Sequence, residues 1–165
     1  MTVTGYTLSG TDAGNYNVLQ PTGLTADITA ASLQVTGVGA ANKVYNTNTT
    51  ATLTGTASVT GLGSDVVSVI GVGAGSFADK NVGNGKAVTI TGYSLTGGDA
   101  GNYTLVQPAG VTANITPADL QVTGVSASNK VYNANATATL TGTAAVTALA
   151  GDTVQLDTSA AAGAF

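Results

Sequence analysis

The sequence predicts an all-β fold: antiparallel β-sandwich modules arranged in tandem. Three observations carry that reading. Apolar and polar residues alternate with period two over several stretches, turn formers lie between them, and no stretch shows a helical period. Gly, Thr, Ala and Val dominate, while Glu and Arg are absent, a composition of strands and turns rather than helices. The pattern also returns after 87 residues: residues 4–60 align with residues 91–147 without a gap. The offset still holds between Asp65 and Asp152. One residue is then added, so Phe77 corresponds to Phe165.

A period this long exceeds one solenoid coil and suits a small domain repeated in series. The chain divides into residues 1–31, the C-terminal part of a preceding repeat; residues 32–118, a complete repeat; and residues 119–165, the N-terminal part of a following one. It reads as an excerpt of a longer protein.

Within the complete repeat, Ser32–Thr36 alternates and opens the first strand, and Asn42–Asn46 forms a short second one. Thr50–Thr60 is the clearest strand, with Ala51, Leu53, Gly55, Ala57 and Val59 on one face and Thr or Ser on the other. Gly61–Asp65 is a turn. Val66–Val72 is apolar enough for a central strand, and 79–85 is a loop. Ala87–Leu95 is a long strand with a bend at Gly92. Tyr103–Val106 and Val111–Thr116 complete the set, and Pro117 marks the join to the next repeat. The expected core is Leu33, Val35, Leu53, Phe77, Val88, Ile90, Tyr103, Leu105, Val111 and Ile115.

The five residues Asp99-Ala100-Gly101-Asn102-Tyr103 also stand at Asp12-Ala13-Gly14-Asn15-Tyr16. An Asp and a Tyr four apart, ahead of a strand, resemble the tyrosine corner of immunoglobulin-like sandwiches, in which the Tyr bonds back to upstream backbone. The Cys expected two residues after the Tyr is replaced by Leu105 and Val18, so the resemblance is to a disulfide-free version. Asp12, Gly14, Tyr16, Asp99, Gly101 and Tyr103 are the expected structural corner residues.

Composition excludes much chemistry. The chain has no Cys, His, Trp, Arg or Glu, so it cannot build a thiol or imidazole site, a Cys/His zinc site or a Ser-His-Asp triad. A net charge of −4 without Arg argues against nucleic acid as a partner. No apolar run is long enough to span a membrane. Asp and Lys alone offer no acid–base pair set apart from turn residues, so no enzyme, catalytic residue or cofactor is expected.

Lys43-Val44-Tyr45, Leu53-Thr54-Gly55-Thr56, Phe77-Ala78-Asp79-Lys80-Asn81-Val82-Gly83 and Gly98–Leu105 stand in an order that resembles the YDG repeats of large bacterial surface proteins of the filamentous-haemagglutinin type. The name-giving Tyr-Asp-Gly is here Tyr45-Asn46-Thr47, and Tyr132-Asn133-Ala134 in the next copy. The resemblance implies an extracellular, secreted exoprotein with tandem stalk domains and no catalytic residue.

Other signals are weaker. Thr50, Thr52, Thr54 and Thr56, with Thr137, Thr139, Thr141 and Thr143, form Thr-x-Thr rows that offer an ice-binding surface or simply cover a solvated strand. Asp99 with Asn102, and Asp79 with Asn81, offer oxygens to Ca²⁺ but match neither the EF-hand spacing nor the glycine-rich calcium nonapeptide; bonding to turn backbone is the simpler reading, and no metal site is expected. Lys43 and Lys130 are candidates for an isopeptide crosslink, with no Glu to assist it.

The expected function is therefore a structural spacer in a bacterial surface adhesin or extracellular filament, with homotypic contacts between neighbouring repeats or copies. The alternative is a glycan- or protein-binding module. The partial repeats at the two ends are expected to expose unpaired strand edges, and head-to-tail pairing between chains would complete them.

Overall fold

The computed structural model describes every residue from Met1 to Phe165 and is all-β, with several sheets. The complete repeat contributes β1 (Ala31–Gln34), β2 (Thr36–Ala40), β3 (Lys43–Val44), β4 (Thr50–Ala51), β5 (Leu53–Ser58) and β6 (Ser68–Ile70). It continues with β7 (Ala74–Phe77), β8 (Gly83–Thr91), β9 (Ser94–Thr96), β10 (Tyr103–Val106) and β11 (Thr112–Thr116). The following repeat adds β12 (Thr123–Ala127), β13 (Thr137–Ala138), β14 (Leu140–Ala145) and β15 (Gly163–Ala164).

The largest sheet runs β3-β11-β8-β7-β4, and β1-β10, β2-β5 and β6-β9 form pairs beside it. Ala51, Phe77, Val88, Ile90, Ala113 and Ile115 make the buried cluster on this sheet, and Val38, Ala40, Leu53 and Tyr93 pack against it. Leu33, Val35 and Tyr103 are buried as expected, whereas Leu53, Leu105 and Val111 are only half-buried. Ala51 and Ala113, which are not among the expected core residues, are buried with them.

Two pairings are parallel, β1 with β10 and β3 with β11, so the expectation of a purely antiparallel arrangement is corrected there. Most of the repeat lies between the paired strands, which gives the long crossover that parallel pairing needs. The expected central strand Val66–Val72 shrinks to β6, which pairs only with β9 and leaves Val66 and Val72 exposed. It ends at Gly71, where φ is +100° and a side chain would run into the Gly92 carbonyl. Apolar content alone does not make a strand central; these two glycines let the backbones come too close for one to continue. Gly92 itself divides the expected strand Ala87–Leu95 into β8 and β9.

The following repeat copies this construction. The β2–β5 register, with its bulge at Gly37, reappears at β12–β14: Val38 faces Gly55, and Val125 faces Gly142. The β4–β7 register reappears at β13–β15 with the extra residue absorbed beforehand. Residues 1–30 hold no strand, against the expectation that the last strands of a repeat form there; only the 3-10 turn Ala13–Asn15 remains. In the complete repeat, β10 and β11 are held by their pairing with β1 and β8. Local bonding does survive. The Gln20 amide clasps the backbone of Tyr6 as the Gln107 amide clasps that of Tyr93.

Candidate functional site: the junction between repeats

No stretch of the chain gathers three or more metal-ligating side chains, and no helix is long and apolar enough to cross a membrane. The most organised polar cluster lies where the complete repeat meets the following one. Tyr45 follows β3 directly, and its N–H donates to the Thr116 carbonyl at 2.8 Å, which fixes it beside the point where the chain leaves β11. Its hydroxyl donates to the Asp152 carboxylate, 2.8 Å from Oδ1 and 2.7 Å from Oδ2. Lys80, in the loop after β7, donates to Asp152 Oδ1 at 2.9 Å and lies 5.7 Å from the centre of the Tyr45 ring.

Asp152 comes from the turn after β14, so two loops of one repeat close on a single carboxylate of the next. That carboxylate is largely covered, at 19% exposure. The Tyr45 hydroxyl, and after it the Lys80 ammonium, hold its pKa below the usual carboxylate value. The same contacts raise Lys80, Asp152 acting first and Tyr45 second. Under the polar cluster, Tyr45, Val82, Pro117, Leu120, Leu149 and Val154 line a cleft of about 190 Å³. That is smaller than the ~300–1,000 Å³ of typical ligand pockets, and it fits a joint better than a binding site.

The expected corner residues fall elsewhere. Asp99 precedes the 3-10 turn Ala100–Asn102, and its Oδ2 accepts the Val66 N–H at 2.8 Å rather than capping its own turn. Tyr103 is buried; its hydroxyl accepts the Leu62 N–H at 2.9 Å and donates to Asp65 Oδ2. The Asp65 bond raises the Tyr103 pKa above its usual value, against the smaller lowering effect of the Leu62 N–H. Both side chains therefore grip the Gly61–Val66 turn. Gly101, within the 3-10 turn, has open space around it. In the N-terminal copy, Asp12, Gly14 and Tyr16 keep the same 3-10 turn, with Asp12 at φ −103° and Asp99 at φ −104°. Tyr16 is 72% exposed, whereas Tyr103 is buried.

The remaining candidates have local roles. Lys43 Nζ donates to the Asn48 carbonyl, Asn48 Oδ1 and the Thr50 carbonyl at 2.9–3.1 Å and lies 5.8 Å from the centre of the Phe77 ring. Lys130 repeats every contact on Asn135, Thr137 and Phe165. Each lysine closes its own loop. Asp79 Oδ1 accepts from the Lys86 ammonium and the Asn81 N–H, both at 2.7 Å. The Lys86 bond, then the Asn81 backbone, lower the Asp79 pKa. The Thr row is exposed but divided, since Thr50 belongs to β4 in the large sheet while Thr54 and Thr56 belong to β5 in a separate pair.

The loop closed by Lys43 contains an unusual backbone. Thr47 has φ +68° and Ala134, its counterpart, φ +57°; these are the only non-glycine residues with positive φ. A β-branched residue in this region is a genuine outlier.

Tyr45 and Lys80 stand in recognisable motifs, but nothing in their local pattern joins them to Asp152. The available signal is the drift of Gly61-Leu62-Gly63-Ser64-Asp65 to Ala148-Leu149-Ala150-Gly151-Asp152, in which the Leu and the Asp stay in place.

Fold and junction together define an all-β repeat protein whose polar contacts tie one repeat to the next. The family model for the YDG domain matches residues 29–112 and again 116–165, and the chain belongs to that family. The two matches begin one 87-residue period apart. No curated protein and no solved structure matches the chain.

Proposed function

We propose that the chain is a non-catalytic spacer: tandem immunoglobulin-like β-sandwich modules in the stalk of a secreted bacterial surface adhesin of the filamentous-haemagglutinin type, or of an extracellular filament. The observation that carries this reading is the junction, where Tyr45 and Lys80 of one repeat converge on Asp152 of the next. A tether of independent domains needs no such contact, whereas a stalk that holds a tip at a distance does. The near-identity of successive copies agrees, since a spacer needs number more than individuality.

The experiment is deletion of one 87-residue unit from the parent surface protein. The spacer reading expects ligand recognition at the tip to persist while reach shortens. Loss of recognition, or specific hits for this chain on a glycan array, would assign binding to the repeat itself.

A further inference from the structure

The junction has a counterpart that the chain leaves open. Asp65 stands one period before Asp152, and Leu62 one period before Leu149. Where a repeat sits against this turn, Leu149 is 40% exposed and Asp152 is half-buried. Where none does, Leu62 is 63% exposed and Asp65 is exposed, even though Tyr103 packs on that turn from its own repeat. The difference follows the neighbouring repeat. Asp65 also has acceptor capacity to spare: Tyr103 occupies Oδ2, and Oδ1 has no partner. A carboxylate offers about four lone-pair sites, enough for a second tyrosine hydroxyl and an ammonium.

From this we infer that the Gly61–Val66 turn, through Leu62 and Asp65, is a docking surface for the Tyr45–Lys80 end of a second copy of the same repeat. Each Asp then has two duties. It receives its own repeat's Tyr103 hydroxyl, which fixes the turn, and the preceding copy's Tyr45 hydroxyl and Lys80 ammonium, which fix the neighbour. The grip of Tyr103 on Leu62 and Asp65 thereby presents the carboxylate in one orientation, as a heterologous head-to-tail array requires. The inference rests on the spacer reading, but its test reads the interface alone; binding of a glycan would defeat the spacer reading and leave the interface standing.

The test lengthens the full chain by one further copy of residues 30–116 inserted ahead of Ala30. The chain has no Cys, so two introduced cysteines are unique attachment points for spin labels. Thr89→Cys in the inserted copy and Thr56→Cys in the original complete repeat correspond to Thr89→Cys and Thr143→Cys across the existing junction. The expected result is a distance distribution that superimposes on that of the existing junction. It should broaden when the inserted copy carries Tyr45→Phe with Lys80→Met, changes that leave the Asp65–Tyr103 bond intact. A distribution that is broad from the start, centred elsewhere, or indifferent to the double substitution would overturn the inference.

Discussion

The Tyr45 hydroxyl reaches both oxygens of the Asp152 carboxylate although 107 positions separate the two residues. One follows the edge strand β3 of the largest sheet, and the other lies in the turn after β14 of the next repeat. The ion pair that accompanies this contact is partly exposed, with Lys80 at 40%. Pairs of this kind contribute little stability. The cluster therefore fixes orientation more than it holds the fold together, and substituting it should loosen the joint while leaving each repeat folded.

Thr47 lies in the left-handed region, where a side chain costs about 1–2 kcal/mol, and glycine removes that strain while adding about 0.5–1 kcal/mol of backbone entropy cost. Thr47→Gly should raise stability by up to ~1 kcal/mol, a few degrees in Tm for a domain of this size. Ala134→Gly should act in the same direction. Thermal unfolding of the single variants checks this; a lowered Tm for Thr47→Gly would show that the hydroxyl or methyl of Thr47 outweighs the strain.

Gly55 has φ +78°, and a Cβ on it would collide with the Gly37 carbonyl across the β2–β5 bulge. Gly55→Ala should therefore destabilise by more than the ~1–2 kcal/mol of left-handed strain alone. Gly14→Ala, where nothing stands within 4 Å, is the control expected to leave denaturant unfolding unchanged.

Phe77 is 2% exposed at the centre of the buried cluster. Phe77→Ala should cost roughly 3–5 kcal/mol, enough to unfold much of the complete repeat. Phe165, its counterpart, is 69% exposed, so Phe165→Ala should cost far less. Parallel denaturant titrations separate the two.

The strands are largely legible because period two is a property of the backbone. Ala51, Leu53, Ala57 and Val59 turn inward as alternation requires, and only Gly55 departs, at the bulge. The short run around β6 misleads because hydropathy does not report the glycines that end it. The strands expected before Ala31 mislead for another reason: a strand exists only with its partner, and alternation does not report pairing. The third residue of Tyr45-Asn46-Thr47 reads as a mild departure in sequence, yet its positive φ supplies the physical reason for glycine at that position. The junction is the least legible part, because contact between Tyr45 and Asp152 depends on how two repeats are set against each other.

The titrations give the joint a pH window. Asp152 and Asp79 have lowered values in the fold, so their contacts contribute fully above the usual carboxyl value of about 3.9 and are lost as pH falls through the lowered values. Tyr103 and Lys80 have raised values, so their contributions are complete below about 10 and about 10.4 and are lost as pH rises through the raised ones. Hydrogen exchange should show opening of the junction at both acid and alkaline pH, and alkaline opening at the Leu62 turn. Tyr103→Phe should abolish the alkaline response at Leu62; an unchanged response would place its origin elsewhere.

The most direct measurement of the account is the spin-label distance between Thr89→Cys in the complete repeat and Thr143→Cys in the following one, taken in the present chain with and without Asp152→Asn. One narrow distribution is expected, broadening in the Asp152→Asn chain while the thermal transition of the complete repeat stays in place. A distribution equally wide in both chains would contradict it, as would one equally narrow in both.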